Sequence, residues 1–121
     1  MVFIAQSDLQ IALKEKNRTS LVFIKDISHI QSSSYISTVY FTNENPPISV
    51  AKLLKKFEQE LAQYGFLRIS RSLLVNKKNI AMLHNNNTRK ITMIGGNELV
   101  ISSRNYRKIT SIIKKQDHGH S

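Results

Sequence analysis

The chain contains no cysteine, and that single absence removes a disulfide framework, a thiolate metal centre and a cysteine nucleophile. It suits a reducing environment, so cytoplasm is the expected compartment. Long apolar runs are missing as well. The apolar start, residues 1–5, lacks a basic lead; it is too short for a membrane span and unlike a signal peptide. Catalytic patterns are also lacking. Gly95-Gly96 has neither phosphate-loop nor dinucleotide spacing, no serine stands in a glycine-flanked turn, and no helix carries two histidines four residues apart. No enzymatic activity, cofactor, metal or small-molecule substrate is therefore expected. His118-Gly119-His120 has no supporting carboxylate or cysteine and reads as tail. His29 and His84 lie in strand-like segments and read as core-edge residues.

Acidic residues are scarce: 8 Asp and Glu stand against 18 Lys and Arg, a net charge of +10. The imbalance is one-sided. Residues 1–51 hold four basic and four acidic residues, whereas residues 52–121 hold fourteen basic and four acidic. Such an excess on a small domain is the electrostatic footprint of a nucleic-acid binder, because neutralising phosphates releases condensed counterions. An acidic protein partner or an anionic membrane surface would answer the same charge. A small basic RNA-binding or ribosome-associated protein is the main alternative, although no aromatic-rich strand is present to stack unpaired bases.

At 121 residues the expectation is one domain around one core. The divisions are a tail or linker remnant over residues 1–8, the domain over 9–115 and a tail over 116–121. Within the domain, alternating segments predict a hairpin over residues 9–24, a strand over 27–30, a serine loop over 31–34 and a strand over 35–41. Pro46-Pro47 ends that run, since neither residue can donate to a ladder, and a short strand over 48–50 follows. Apolar spacings of three and four predict a helix over residues 52–64, capped by Ser49 and ended by Gly65. Lys52, Lys55 and Lys56 read as its solvated face. Leu67 and Ile69 alternate with Arg68 and Ser70, and Leu73-Leu74-Val75 is a second apolar run stopped by Asn76. Further strands over 81–84, 89–94 and 98–101 surround the Gly95-Gly96 turn, and a second helix is expected over 104–115. Many short strands, two helices and no alternating strand-helix repeat predict a mostly β, antiparallel domain with peripheral helices.

Between the two apolar runs stands Ser70-Arg71-Ser72, an arginine flanked by small hydroxyl residues and anchored on both sides. Arg104 opens the second helix, where the macrodipole disfavours a cation and a phosphate is welcome. Lys77 and Lys78 follow Asn76 in a turn.

Phe23-Ile24-Lys25-Asp26-Ile27-Ser28-His29-Ile30, the helix ending at Leu61, Phe66-Leu67-Arg68-Ile69-Ser70-Arg71-Ser72-Leu73-Leu74-Val75-Asn76 with Ile80, and Val100-Ile101-Ser102-Ser103-Arg104-Asn105-Tyr106 together resemble the LytTR family of bacterial DNA-binding domains. The likeness runs over residues 9–115. Ser70 stands where many members carry histidine, and loop 31–34 is serine-rich where the family often has glycine. The resemblance implies an elongated multi-sheet antiparallel β fold that inserts loops into successive major grooves of promoter DNA. It also implies two copies on tandem repeats. Carried over by motif position, Arg71, Arg104, Ser33, Ser34 and Tyr35 are the base contacts. Lys77, Lys78, Ser70, Ser102, Asn105 and Arg107 are the phosphate contacts, and Asn76 is structural. Family members usually carry a phosphorylatable receiver domain ahead of this one, and stand-alone members often work beside a membrane-bound inhibitor. The chain is thus expected to be an output domain or a stand-alone regulator.

Overall fold

Ten strands and two helices organise residues 9–115, the part of the chain that the computed structural model describes. Strands β1 (Gln10–Lys14) and β2 (Thr19–Phe23) form the first hairpin, closed where the Glu15 amide donates to the Arg18 carbonyl. Strands β3 (Ile27–Ser33), β4 (Ile36–Phe41), β5 (Ile48–Val50), β6 (Phe66–Arg68) and β7 (Leu73–Asn76) make a five-stranded sheet in the order β5-β4-β3-β7-β6. Strands β8 (Ile80–Leu83), β9 (Lys90–Met93) and β10 (Glu98–Val100) make a third sheet. All pairings are antiparallel. Helix α1 (Leu54–Leu61) follows β5, and α2 (Tyr106–Lys114) follows β10. The expected mostly β, antiparallel class with two helices is what forms.

The expectation of a single core is corrected: buried side chains fall into two clusters. One gathers Leu13, Ile30, Val39, Leu54, Phe57, Leu61 and Leu74 beside the first hairpin and α1. The other gathers Ile69, Leu73, Val75, Ile91, Met93, Ile101, Ile109 and Ile113 beneath the third sheet and α2. The reason is the strand period. Successive side chains point to opposite faces, so Leu74 enters one cluster while Leu73 and Val75 enter the other. Strand β7 lies between β3 and β6 with all four residues buried, which is why its sequence is a continuous apolar run rather than an alternating one.

Three local expectations also change. Ser49 does not cap a helix; it lies in β5, paired with Thr38 across the ladder, and its hydroxyl is 2.8 Å from the Thr38 hydroxyl. Strand pairing holds Ser49 extended, so α1 begins later, with Leu53 as its N-cap and no side-chain cap bond. Lys52 therefore precedes the helix; its ammonium binds Glu60 at 2.6 Å and lies 4.4 Å from the Phe57 ring centre. The helix tightens to a 3-10 turn over Ala62–Tyr64 and ends at Gly65, whose φ of +89° is the left-handed conformation glycine reaches without strain. The serine loop is shorter than expected. Cross-strand pairs Ser32 with Ser37 and Ser33 with Ile36 extend β3 through Ser33, leaving Ser34 and Tyr35 as the tip, with Ser34 at φ +59°. Finally, α2 starts at Tyr106, so Arg104 lies in the turn before the helix and not in it.

Candidate nucleic-acid interface

Strands β6 and β7 are joined through Ile69 and the loop Ser70-Arg71-Ser72, which the Ile69 amide closes by donating to the Leu73 carbonyl at 3.0 Å. Inside the loop the Ser72 amide donates to Ser70 Oγ at 3.3 Å. Ile69 is fully buried, so the loop is anchored in the second core at its base. The Ile69 carbonyl accepts the Ser102 amide at 2.9 Å, which fastens the turn over residues 102–105 beside it. That turn is itself closed by the Asn105 amide donating to the Ser102 carbonyl at 3.1 Å. On the other side, the Ser72 carbonyl accepts the Ser32 amide at 2.9 Å, which ties in the end of β3 and so the tip bearing Ser33, Ser34 and Tyr35. Three segments far apart in sequence are thereby held side by side.

Arg68, Ser70, Arg71, Ser102, Arg104 and Asn105 line a shallow concavity of about 410 Å³ between the first two segments. Arg71 and Arg104 are exposed, and among the described residues neither guanidinium has a hydrogen-bond or ion-pair partner. The described carboxylates of the basic half are already engaged: Glu58 by Arg68, Glu60 by Lys52 and Glu98 by Lys90 at 3.6 Å. The concavity is therefore left with uncompensated positive charge. Tyr35 is 76% exposed at the neighbouring tip.

Of the residues expected to act, Arg71, Arg104, Ser70, Ser102, Asn105, Ser33, Ser34 and Tyr35 come together in these three segments, and Arg107 is exposed in the first turn of α2. Lys77 and Lys78 do not join them. They occupy a 3-10 turn, Lys77–Asn79, at the far end of β7, about 13 Å from the loop at the usual strand rise. Asn76 is 2% exposed; its amide donates to the Ile27 carbonyl at 3.0 Å, and its carbonyl oxygen accepts the Lys78 amide at 3.2 Å.

The histidines divide. His29 is 2% exposed and so lies within the core rather than at its edge; it is stacked on Tyr40 with ring centres 4.6 Å apart, and Nδ1 is 2.8 Å from Ser28 Oγ. Burial pulls its pKa down to about 4, because desolvation disfavours the charged ring. His84 Nε2 lies 2.8 Å from Thr92 Oγ1. Among the described residues no group of three metal-ligating side chains occurs, and His118 and His120 lie outside them. No described helix is long and apolar enough to cross a membrane.

Sequence reasoning missed one participant. Arg68 reads as the polar side of a half-buried strand, yet its guanidinium meets the Ser70 carbonyl, the Arg71 carbonyl and Glu58. The only available signal was an arginine two residues ahead of a serine-arginine-serine loop; the Glu58 partner comes from the packing of α1.

No curated protein matches the chain. Among solved structures it is similar to the LytTr DNA-binding domain described for a methyl-accepting/DNA response regulator from Bacillus cereus, at 18% identity and a TM-score of 0.71, over 88% of this chain and 96% of that one. At that identity the likeness speaks for the fold. The model of the LytTr DNA-binding domain family matches residues 17–114, and with the motifs Phe66 to Asn76 and Ser102 to Tyr106 inside that span, the chain belongs to the LytTR family of DNA-binding domains.

Proposed function

We propose that this protein binds double-stranded promoter DNA sequence-specifically and regulates transcription, with residues 9–115 as the binding module. The carrying observation is the hydrogen-bonded alignment of three sequence-distant segments, through Ser32 to Ser72 and Ser102 to Ile69, around two unpaired arginines. Rigid loops with projecting arginines suit base edges in the major groove, where guanine offers two acceptors to one guanidinium. In this reading Arg71 and Arg104 contact bases, assisted by Ser33, Ser34 and Tyr35 at the adjacent tip. Ser70, Ser102, Asn105 and Arg107 contact phosphates around them, while Lys77 and Lys78 hold the backbone further along the duplex. Two copies occupy tandem repeats, so that successive grooves on one face are filled. The protein acts in the cytoplasm either as the output domain of a response regulator, controlled by a receiver domain, or as a stand-alone regulator working beside a membrane-bound inhibitor.

The test is a selection of bound duplexes from a random library by the purified protein, followed by titration of the selected duplex, its single strand and the matching RNA. A repeated sequence motif, and preference for the duplex over both other forms, are expected. Equal binding to RNA, or selection without a motif, would sink the reading.

A further inference from the structure

Arg68 directs one guanidinium at three acceptors. Nε donates to the Ser70 carbonyl at 2.9 Å, Nη2 to the Arg71 carbonyl at 2.7 Å and Nη1 to Glu58 Oε1 at 2.8 Å. The two carbonyls belong to the peptide groups on the C-terminal side of Ser70 and of Arg71, so both peptide planes flanking Arg71 are held. The carboxylate belongs to α1, so the same fork joins the loop to the helix. With the loop already closed between Ile69 and Leu73, Arg71 keeps only its side-chain torsions. The Arg68 and Glu58 side chains are 28% and 40% exposed, and an ion pair at such exposure contributes little to stability by itself. What the planar fork adds is geometry, because it meets several acceptors in fixed directions where an ammonium acts as a point charge.

We propose that Arg68 is a positioning residue for base recognition, acting through Arg71, with Glu58 as the anchor that aims it. The inference rests on the reading of Arg71 as a base contact. A loop ordered during folding does not have to be ordered again on binding, so the benefit appears as discrimination between duplexes. Arg68 itself makes no base contact in this scheme.

The experiment measures the affinity of the intact chain for the library-selected duplex and for a random duplex, in wild type, Arg68→Lys, Arg71→Ala and the double variant. Arg68→Lys is expected to fold with a near-native melting temperature. It should lose about tenfold in the ratio of selected to random binding, the scale of one re-ordered side chain, with random binding and its salt dependence unchanged. In the Arg71→Ala background the same change should have no further effect, because coupled residues are not additive. Nitrogen relaxation of the Arg71 and Ser72 amides should show greater loop motion in Arg68→Lys. Glu58→Gln carries the same test should Arg68→Lys fail to fold. An equal loss in both backgrounds would mean an independent contact, and a uniform loss on all duplexes with a shallower salt slope would mean a phosphate contact; either overturns the proposal. If Arg71→Ala loses the preference while Arg68→Lys keeps it, the proposal fails alone. If Arg71→Ala keeps it, the base-contact reading fails and takes the proposal with it.

Discussion

Arg71 and Arg104 stand in closed, anchored turns while their side chains are left unpaired: the Arg71 carbonyl is held by Arg68, and Arg104 lies inside the turn that Asn105 closes on Ser102. Each bidentate arginine-guanine pair discriminates by about 1–3 kcal/mol, so Arg71→Ala and Arg104→Ala should each lose about that much on the selected duplex and little on random DNA. A base-by-base substitution scan should show each variant indifferent at one operator position. Asn76 acts by a different route. Its buried amide bonds the Ile27 carbonyl, which also accepts from Asn79 at 2.8 Å, and its oxygen receives the Lys78 amide. Asn76→Ala should destabilise by about 2 kcal/mol, the cost of leaving buried partners unmet, seen as a lower midpoint in urea with the DNA preference retained. His29 contributes a pH dependence. Its folded pKa of about 4 lies below the ordinary 6.5, so between those values the unfolded chain binds the extra proton. Its stabilising share is complete above about pH 6.5 and is lost as pH falls towards 4, up to about 3 kcal/mol. Urea titrations across that range should show the decline in wild type and a smaller one in His29→Phe.

At the scale of elements, β7 is the member on which both cores and the interface depend. Its middle residues fill the two clusters, its start carries the Ser70-Arg71-Ser72 loop and its end carries the Lys77–Asn79 turn. The two ends should therefore behave differently towards DNA. Replacing both Lys77 and Lys78 by alanine should weaken every duplex alike and flatten the salt slope by about 2, near 0.9 per lost phosphate contact. Titrations of selected and random duplexes at several salt concentrations check this. A selective loss at one base pair would move these lysines into the reading set. Helix α1 contributes more than burial of Leu54, Phe57 and Leu61, since Glu58 on its flank meets the arginine that holds the loop.

Over the whole molecule the charge distribution sets the long-range behaviour. The net charge of +10 arises wholly from residues 52–121, and the described carboxylates there are taken by neighbouring cations. If about five phosphates are neutralised, the logarithm of affinity should fall with the logarithm of salt at a slope of roughly −4 to −5. Equilibrium titrations from low to moderate salt measure it, and a slope shallower than about −2 would be incompatible with a phosphate-led complex.

Local features are legible in the chain: the strand-rich class, the Gly95-Gly96 hairpin, the end of α1 at Gly65 and the isolation of Arg71 between two anchored runs. Those follow from periodicity, turn chemistry and backbone freedom, which act over a few residues. Features that depend on contacts between distant segments emerge only on folding. Leu73-Leu74-Val75 reads as one apolar run, and only the covering of both sheet faces divides it between two cores. Ser49 has the chemistry of a helix cap, but pairing with Thr38 claims it for β5. Arg104 reads as the first residue of a helix, yet the turn closed from Asn105 to Ser102 leaves it just outside. Arg68 and Glu58 are ten residues apart with nothing local to link them, and their pairing exists because α1 packs beside β6, an interaction that neither period nor propensity encodes.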